Sequence, residues 1–93
     1  MPDQVVTKSI SAENTFSEDV PLAGQFNLSL SGTWAATVVV QRSFDDCATW
    51  VDVEEFTENG QYVGTEPERG VRYRVGVKTG YYTSGTVIGR LSQ

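Results

Sequence analysis

The stretch GVRYRVGVKTG, residues 70–80, decides the fold because apolar side chains recur in it at every second position. All odd-numbered residues from Val71 to Val77 are apolar, and the residues between them are Arg72, Arg74 and Gly76. Successive side chains of an extended chain point to opposite faces, so this period of two places the apolar and the basic side chains on different faces. The stretch therefore predicts a β-strand with one buried face.

The same period of two continues outward along the chain. It recurs in QFNLSL, residues 25–30, and in WAATVVVQ, residues 34–41, and no window of a dozen residues shows the spacing of an amphipathic helix. Turn-forming residues separate these runs, and Asn59-Gly60 is the strongest signal because both residues tolerate the positive φ of a tight hairpin. The sequence predicts eight strands, over residues 4–10, 14–20, 24–31, 34–43, 49–56, 61–65, 71–79 and 84–92.

Short strands at this spacing, separated by glycine and proline, are typical of an antiparallel β-sandwich or barrel. One segment, EPERGVRYRVGV at residues 66–77, resembles the penultimate strand of fibronectin type III and other immunoglobulin-like domains. The resemblance implies that Tyr73 is a corner tyrosine whose hydroxyl bonds to nearby backbone. We therefore expect one all-β domain, an antiparallel immunoglobulin-like sandwich of about seven or eight strands. Within it, residues 21–93 form the sandwich proper, and residues 1–20 form an N-terminal arm that a partner could hold.

Composition narrows the function. The chain has 93 residues, with seven Lys plus Arg against twelve Asp plus Glu, and a net charge of -5. This balance argues against a nucleic-acid binder, whose affinity depends on neutralising phosphates. No segment resembles a signal peptide or a membrane helix, so we expect synthesis in a cytosol and no membrane partner. Histidine is absent, and Cys47 is the only cysteine. A cysteine without a histidine has no usual base, so we predict no enzyme and no cofactor.

A turn motif stands at SFDDCATW, residues 43–50, which resembles the Asp box of sialidase propellers with Cys47 in place of the usual glycine. Four residues are expected to build the turn: Ser43, Asp45, Thr49 and Trp50. Short polar side chains bond to backbone N–H groups inside a turn, and the tryptophan would anchor the loop in the core. The motif occurs once, and 93 residues cannot build a propeller. We predict a structural hairpin, with sugar binding by the loop as the alternative.

Charge is segregated along the second half of the chain. Residues 45–68 contain eight acidic side chains and no basic one, and residues 69–78 contain four basic side chains and no acidic one. The acidic spacing matches no calcium loop, so we expect a solvated surface and no metal site. The basic residues would pair across strands with the acidic segment, or Arg72 and Arg74 would dock a partner of opposite charge.

Two adjacent aromatic residues, Tyr81 and Tyr82, follow Gly80 and read as the tip of a final hairpin. Tyrosine buries a large area at low entropy cost, which suits an interface anchor. The other interpretation is that one of the two rings caps the core. Both interpretations remain open at the level of sequence.

Longer segments carry a further resemblance. Residues 31–53, SGTWAATVVVQRSFDDCATWVDV, and residues 67–93, PERGVRYRVGVKTGYYTSGTVIGRLSQ, resemble a family of small proteins encoded among the structural genes of tailed bacteriophages. The resemblance implies a non-enzymatic virion protein that decorates or cements the capsid surface after synthesis in the host cytoplasm. Its partners would be the major capsid protein and sister copies, for instance in a trimer. They would contact the N-terminal arm, the edge strands and the 80–85 loop.

The alternative within that resemblance is a tail or head-fibre module. Such a module would bind host-surface carbohydrate or another virion protein. Four aromatic residues would then form a platform for a sugar ring: Trp34, Trp50, Tyr81 and Tyr82.

Overall fold

A computed structural model describes residues 5–93, which form nine β-strands and no helix. The strands are β1 (Val5–Ile10), β2 (Thr15–Phe16), β3 (Val20–Pro21), β4 (Gly24–Ala36), β5 (Val38–Ser43), β6 (Val51–Phe56), β7 (Gly60–Glu66), β8 (Arg72–Val77) and β9 (Tyr82–Ser92).

The strands form two antiparallel sheets that pack face to face. The front sheet has the strand order β1-β9-β4-β7. The back sheet has the order β2-β8-β5-β6, and the short strand β3 also pairs with β8. The predicted all-β antiparallel sandwich is therefore confirmed.

The core lies where the predicted apolar faces meet. The back sheet contributes the odd-numbered residues from Val71 to Val77, all of which are buried, and the front sheet contributes Phe26, Leu28, Leu30, Val87 and Leu91. The rings of Phe26 and Tyr73 meet across the two sheets with their centroids 4.8 Å apart. Removal of these side chains from water is the main force that holds the sheets together.

The N-terminal strands belong to the sandwich. β1 pairs along its whole length with β9, and β2 and β3 pair with β8. The predicted strand over 14–20 is split because Ser17 interrupts it. The Ser17 N–H donates to the Val75 carbonyl at 2.8 Å, and the Ser17 hydroxyl accepts the Val75 N–H at 3.1 Å. The part of the predicted arm at residues 1–4 lies outside the described residues.

The sequence predicts one strand that ends at residue 31 and a second that begins at residue 34, with Gly32 as the turn signal between them. This break is wrong, because β4 runs through Gly32 from Gly24 to Ala36. Gly32 has φ +101°, and a Cβ there would lie 2.4 Å from the Thr86 carbonyl oxygen of β9. The glycine permits a close approach of two paired strands, which is the other meaning of glycine within a strand. The chain instead changes sheet at Thr37, whose N–H donates to the Tyr81 carbonyl at 2.8 Å.

The predicted tight hairpin at Asn59-Gly60 is also wrong. β6 lies in the back sheet and β7 in the front sheet, so residues 57–59 cross between sheets. Neither Asn59 nor Gly60 has a positive φ. The Asn59 amide instead accepts a bond from the Trp34 indole N–H at 2.6 Å and donates to the Gly32 carbonyl at 2.8 Å.

The strand pairing is only partly that of an immunoglobulin domain. β4 pairs with β7 and β5 with β8, as strand B pairs with E and C with F in that fold. The last strand differs, since β9 lies between β1 and β4 in the front sheet, whereas strand G of an immunoglobulin domain extends the sheet of C and F. Here β2 and β3 occupy the free side of β8.

Candidate functional site

The Asp-box loop joins β5 to β6, and side-chain bonds fill it. The Ser43 hydroxyl donates to Asp45 Oδ1 at 2.7 Å and accepts the Cys47 N–H at 2.9 Å. The Thr49 N–H donates to Asp45 Oδ1 at 2.9 Å, and the Thr49 hydroxyl donates to Asp45 Oδ2. Hydrogen bonds from Thr49 and Ser43 lower the pKa of the Asp45 carboxyl to about 2. All of these bonds satisfy groups of the loop itself, so the arrangement holds a turn.

Cys47, which stands where the Asp box usually has glycine, keeps the left-handed backbone conformation that glycine would adopt. Cys47 has φ +71° and its neighbour Asp46 has φ +57°, so two non-glycine residues occupy the left-handed region. Burial and the nearby Asp19 carboxylate raise the pKa of the half-buried Cys47 thiol. A raised pKa keeps the thiol protonated, which makes it a poor nucleophile.

Trp50 packs on the outer face of the back sheet and not in the core, which corrects its predicted role. The Arg74 guanidinium carbon lies 4.3 Å from the Trp50 ring centroid and 4.0 Å from that of Phe16. The Arg74 Nε–H also donates to Gln41 Oε1 at 2.8 Å. Arg74 is therefore stacked between two rings and bonded within its own sheet.

The other basic residues of this face also have internal partners. Arg72 forms an ion pair with Asp19 at 2.9 Å, and Lys78 forms one with Asp52 at 2.8 Å. The Lys78–Asp52 pair is a contact of the kind predicted between the basic and acidic segments, whereas Asp19 lies outside the acidic segment. Together with Arg74, these residues hold the back sheet together, so the face offers few free cations to a partner.

Tyr81 and Tyr82 lie where the chain crosses from β8 in the back sheet to β9 in the front sheet, so the predicted hairpin tip is wrong. Both rings are half-buried and pack against the core, as Trp34 does, whereas Trp50 is not part of that group. The Tyr82 hydroxyl donates to the Gly85 carbonyl at 2.8 Å. Three of the four rings of the predicted sugar platform therefore pack against the core, whereas Trp50 lies apart from them against Arg74.

A cleft of about 120 Å³ opens between the two sheets where β6 and β7 form their edges. Its walls are mostly apolar and include Phe26, Val53, Phe56, Tyr62 and Val63. The rings of Phe56 and Tyr62 lie 4.3 Å apart between centroids and join the two walls. We call this edge of the sandwich, formed by β6, β7 and the cleft, the open margin.

Several apolar side chains of the open margin remain exposed. Val63 is 72% exposed and Val53 is 46% exposed, and Val51 is similarly open. Val53 is also the extra residue of a β-bulge, because Val40 pairs with Glu54 and Gln41 pairs with Asp52. The bulge bends β6 locally, as bulges do at sheet edges.

A buried carboxylate lies at one end of the open margin. Glu66, the last residue of β7, is 1% exposed, and its Oε1 accepts the Tyr73 hydroxyl at 2.8 Å and an Arg42 guanidinium N–H at 2.9 Å. Its Oε2 accepts the Glu68 N–H at 3.0 Å. Burial opposes ionisation, but these hydrogen bonds outweigh it and lower the pKa of Glu66. The resemblance implied that the Tyr73 hydroxyl bonds to backbone. Its partner is instead the side-chain carboxylate of Glu66.

Sequence reasoning missed the open margin. Its two strands follow one another in sequence, but only the pairing order makes β6 and β7 the edges of different sheets and brings Phe26, Val40 and Tyr73 of other strands into the cleft. The exposed valines of the VDVEEF and QYVGTE segments were the available signal. Within residues 5–93, no group of side chains has the arrangement of a metal site, and no helix is long and apolar enough to cross a membrane. Comparisons with protein-family models, with curated proteins and with solved structures found no match.

Proposed function

We propose that this protein is a non-enzymatic structural component of a tailed-bacteriophage virion, which attaches to the capsid surface and bridges capsid subunits. The resemblance of residues 31–53 and 67–93 to small phage structural proteins supports the virion assignment. The open margin carries the mechanism, because it combines exposed apolar side chains with two strand edges in a small domain. Each contact would be weak, and a shell with many identical sites would add such contacts together.

The surroundings of the reactive side chains favour binding over catalysis. Asp45 is held by the bonds of its own loop, and Glu66 by Arg42 and Tyr73. The Cys47 thiol has a raised pKa and lies near Asp19, which opposes the thiolate. These groups stabilise the fold, and a general acid or base must instead reach a substrate.

The test is to add purified protein to phage particles from which its gene has been deleted. Decoration predicts many bound copies per particle, one set for each repeating shell unit, and a shell that ruptures at a higher temperature than the bare particle. Counting copies by quantitative gel and following rupture by dye release to the packaged DNA measures both. A few copies located at the tail, with an unchanged rupture temperature, would remove the capsid proposal in favour of the tail or fibre alternative.

A further inference from the structure

The two edge strands of the open margin each have one unpaired side. Within residues 5–93, β6 pairs only with β5, and β7 pairs only with β4. The two strands do not pair with each other, because they belong to different sheets. An unpaired strand edge presents a row of backbone N–H and C=O groups, which another extended chain can bind.

The cleft beside these edges suits alternate side chains of such an added strand. Every second side chain of a strand laid along β6 would point inward, between Phe56 on one wall and Tyr62 on the other. Gly64 has no side chain, and Phe26 fills that space, since a Cβ at Gly64 would lie 2.6 Å from its ring. A cavity of about 150 Å³ holds a benzene ring, so a cleft of about 120 Å³ admits a branched aliphatic side chain.

The rim of the cleft is acidic. Glu54 lines it, and Glu55 and Glu58 are exposed nearby. None of the three forms an ion pair with a described residue, whereas Arg42, the cation that lines the cleft, is already paired with Glu66. Glu55 pairs with Val39 and so lies on the outer face of β6, where a strand added to β6 with lysine or arginine at its outward positions would gain a favourable cross-strand contact. A second copy of this chain, with a net charge of -5, would be repelled at the same place.

We propose that the open margin binds an extended segment of a partner protein by strand addition, and that this segment alternates lysine or arginine with small aliphatic residues. Its backbone pairs with the free edge of β6, its aliphatic side chains enter the cleft, and its basic side chains lie beside Glu55 on the outer face of the back sheet. The inference rests on the proposed function in that it names the chemistry of the partner at the binding surface.

The first test uses the whole protein and a synthetic peptide, acetyl-Lys-Val-Lys-Val-Lys-Val-Lys-amide, in isothermal titration calorimetry. Two peptides serve as controls: one with glutamate in place of each lysine, and one with the same composition but with its lysines in one block. We expect binding of the alternating basic peptide that weakens as salt is added, and no binding of the glutamate peptide. Equal affinity for all three peptides, or none for any, would overturn the inference.

The second test places the binding on the margin. Val53→Lys introduces a charge at the mouth of the cleft, and Val5→Lys introduces the same charge on β1 at the opposite edge of the front sheet. The two valines are matched, since Val53 is 46% exposed and Val5 is 45% exposed. We expect Val53→Lys to weaken peptide binding about tenfold and Val5→Lys to leave it unchanged. Equal effects of the two variants would contradict the assignment to the margin.

A thermal melt of each variant checks that it is folded. We expect no change in melting temperature, because both valines are exposed and neither packs in the core. Failure of the inference and failure of the proposed function are distinguishable. Particles that bind the wild-type protein in many copies, while the peptide does not bind, leave the function standing and remove the strand addition. Self-association that Val53→Lys abolishes, in the absence of peptide binding, would replace the partner segment with a second copy.

Discussion

The two margins of the sandwich differ in how far other strands of the chain cover their edge strands. On the side of β1, β2 and β3, the chain folds back over itself, and β1 contacts both β2 and β8. We call this side the closed margin; Ile10, Val20 and Leu22 are buried there. On the open margin, β6 and β7 end their sheets with no further strand among residues 5–93, and valines remain in contact with solvent.

The difference shows where backbone groups are bonded within the domain and where a strand edge has no partner strand among residues 5–93. At the closed margin, the Ser17 hydroxyl accepts the Val75 N–H, and the Glu13 carboxylate accepts the Gly80 N–H at 2.9 Å. At the open margin, a bulge at Val53 and the acidic side chains of β6 make pairing with a second copy unfavourable without covering the edge. Such an edge resists pairing with its own copies, and under our proposal it remains open to a partner of opposite charge.

The largest expected change in the free energy of unfolding comes from a substitution in the closed margin. Ile10 is fully buried, and Ile10→Ala should lower the free energy of unfolding by about 3 kcal/mol because it removes apolar contacts and leaves a cavity. Val63 on the open margin is 72% exposed, so Val63→Ala should change that free energy by less than about 0.5 kcal/mol. Urea denaturation of both variants measures the contrast. Equal losses would mean that the open margin is packed like the core.

A smaller effect concerns the carboxylate at the end of the open margin. Glu66→Gln should cost about 2 kcal/mol at neutral pH, since it removes charged hydrogen bonds to Arg42 and Tyr73. The folded state lowers the pKa of Glu66, so it binds this proton less readily than the unfolded chain does. This contribution to stability is present above the usual carboxyl range and is lost as the pH falls through the lowered pKa.

The pH dependence of unfolding separates Glu66 from the other acids. Between neutral pH and pH of about 3, the wild-type protein should lose more stability than Glu66→Gln loses, because the variant has no proton to take up there. Glu58→Gln is the control, since Glu58 is exposed and forms no ion pair with a described residue. If the free energy of unfolding fell in parallel with pH for the wild type and Glu66→Gln, Glu66 would not contribute the predicted pH dependence.

The smallest effect concerns the loop that holds β6 in place. Cys47 has φ +71°, a conformation that glycine adopts without strain, so Cys47→Gly should raise the free energy of unfolding by about 0.5 kcal/mol. Ala48→Gly, one residue later, gains no such relief and should destabilise through the added freedom of the unfolded chain. Thermal unfolding of the two variants should therefore shift in opposite directions. A loss of stability in both would contradict the strain assigned to Cys47.

Sequence predicted the sheets better than it predicted the margins. The alternation from Val71 to Val77 fixes which side chains are buried, because the period of two is local to each strand. Gly32 and Asn59 carried the signals of turns, but they serve a close strand approach and a crossing between sheets, which depend on partners distant in sequence. The stacking of Trp50 on Arg74 likewise requires that β6 and β8 flank the same strand, β5. The pairing order therefore sets the site, and local pattern does not encode that order.

Amide hydrogen exchange, followed residue by residue by NMR in the free protein and with the alternating lysine-valine peptide, tests the open margin most directly. In the free protein, the amides of β6 that do not bond to β5 should exchange rapidly. With the peptide, amides of β6 should gain protection, whereas those of β1, β2 and β3 should not change. Protection that appears equally at both margins, or only at the closed one, would contradict the account.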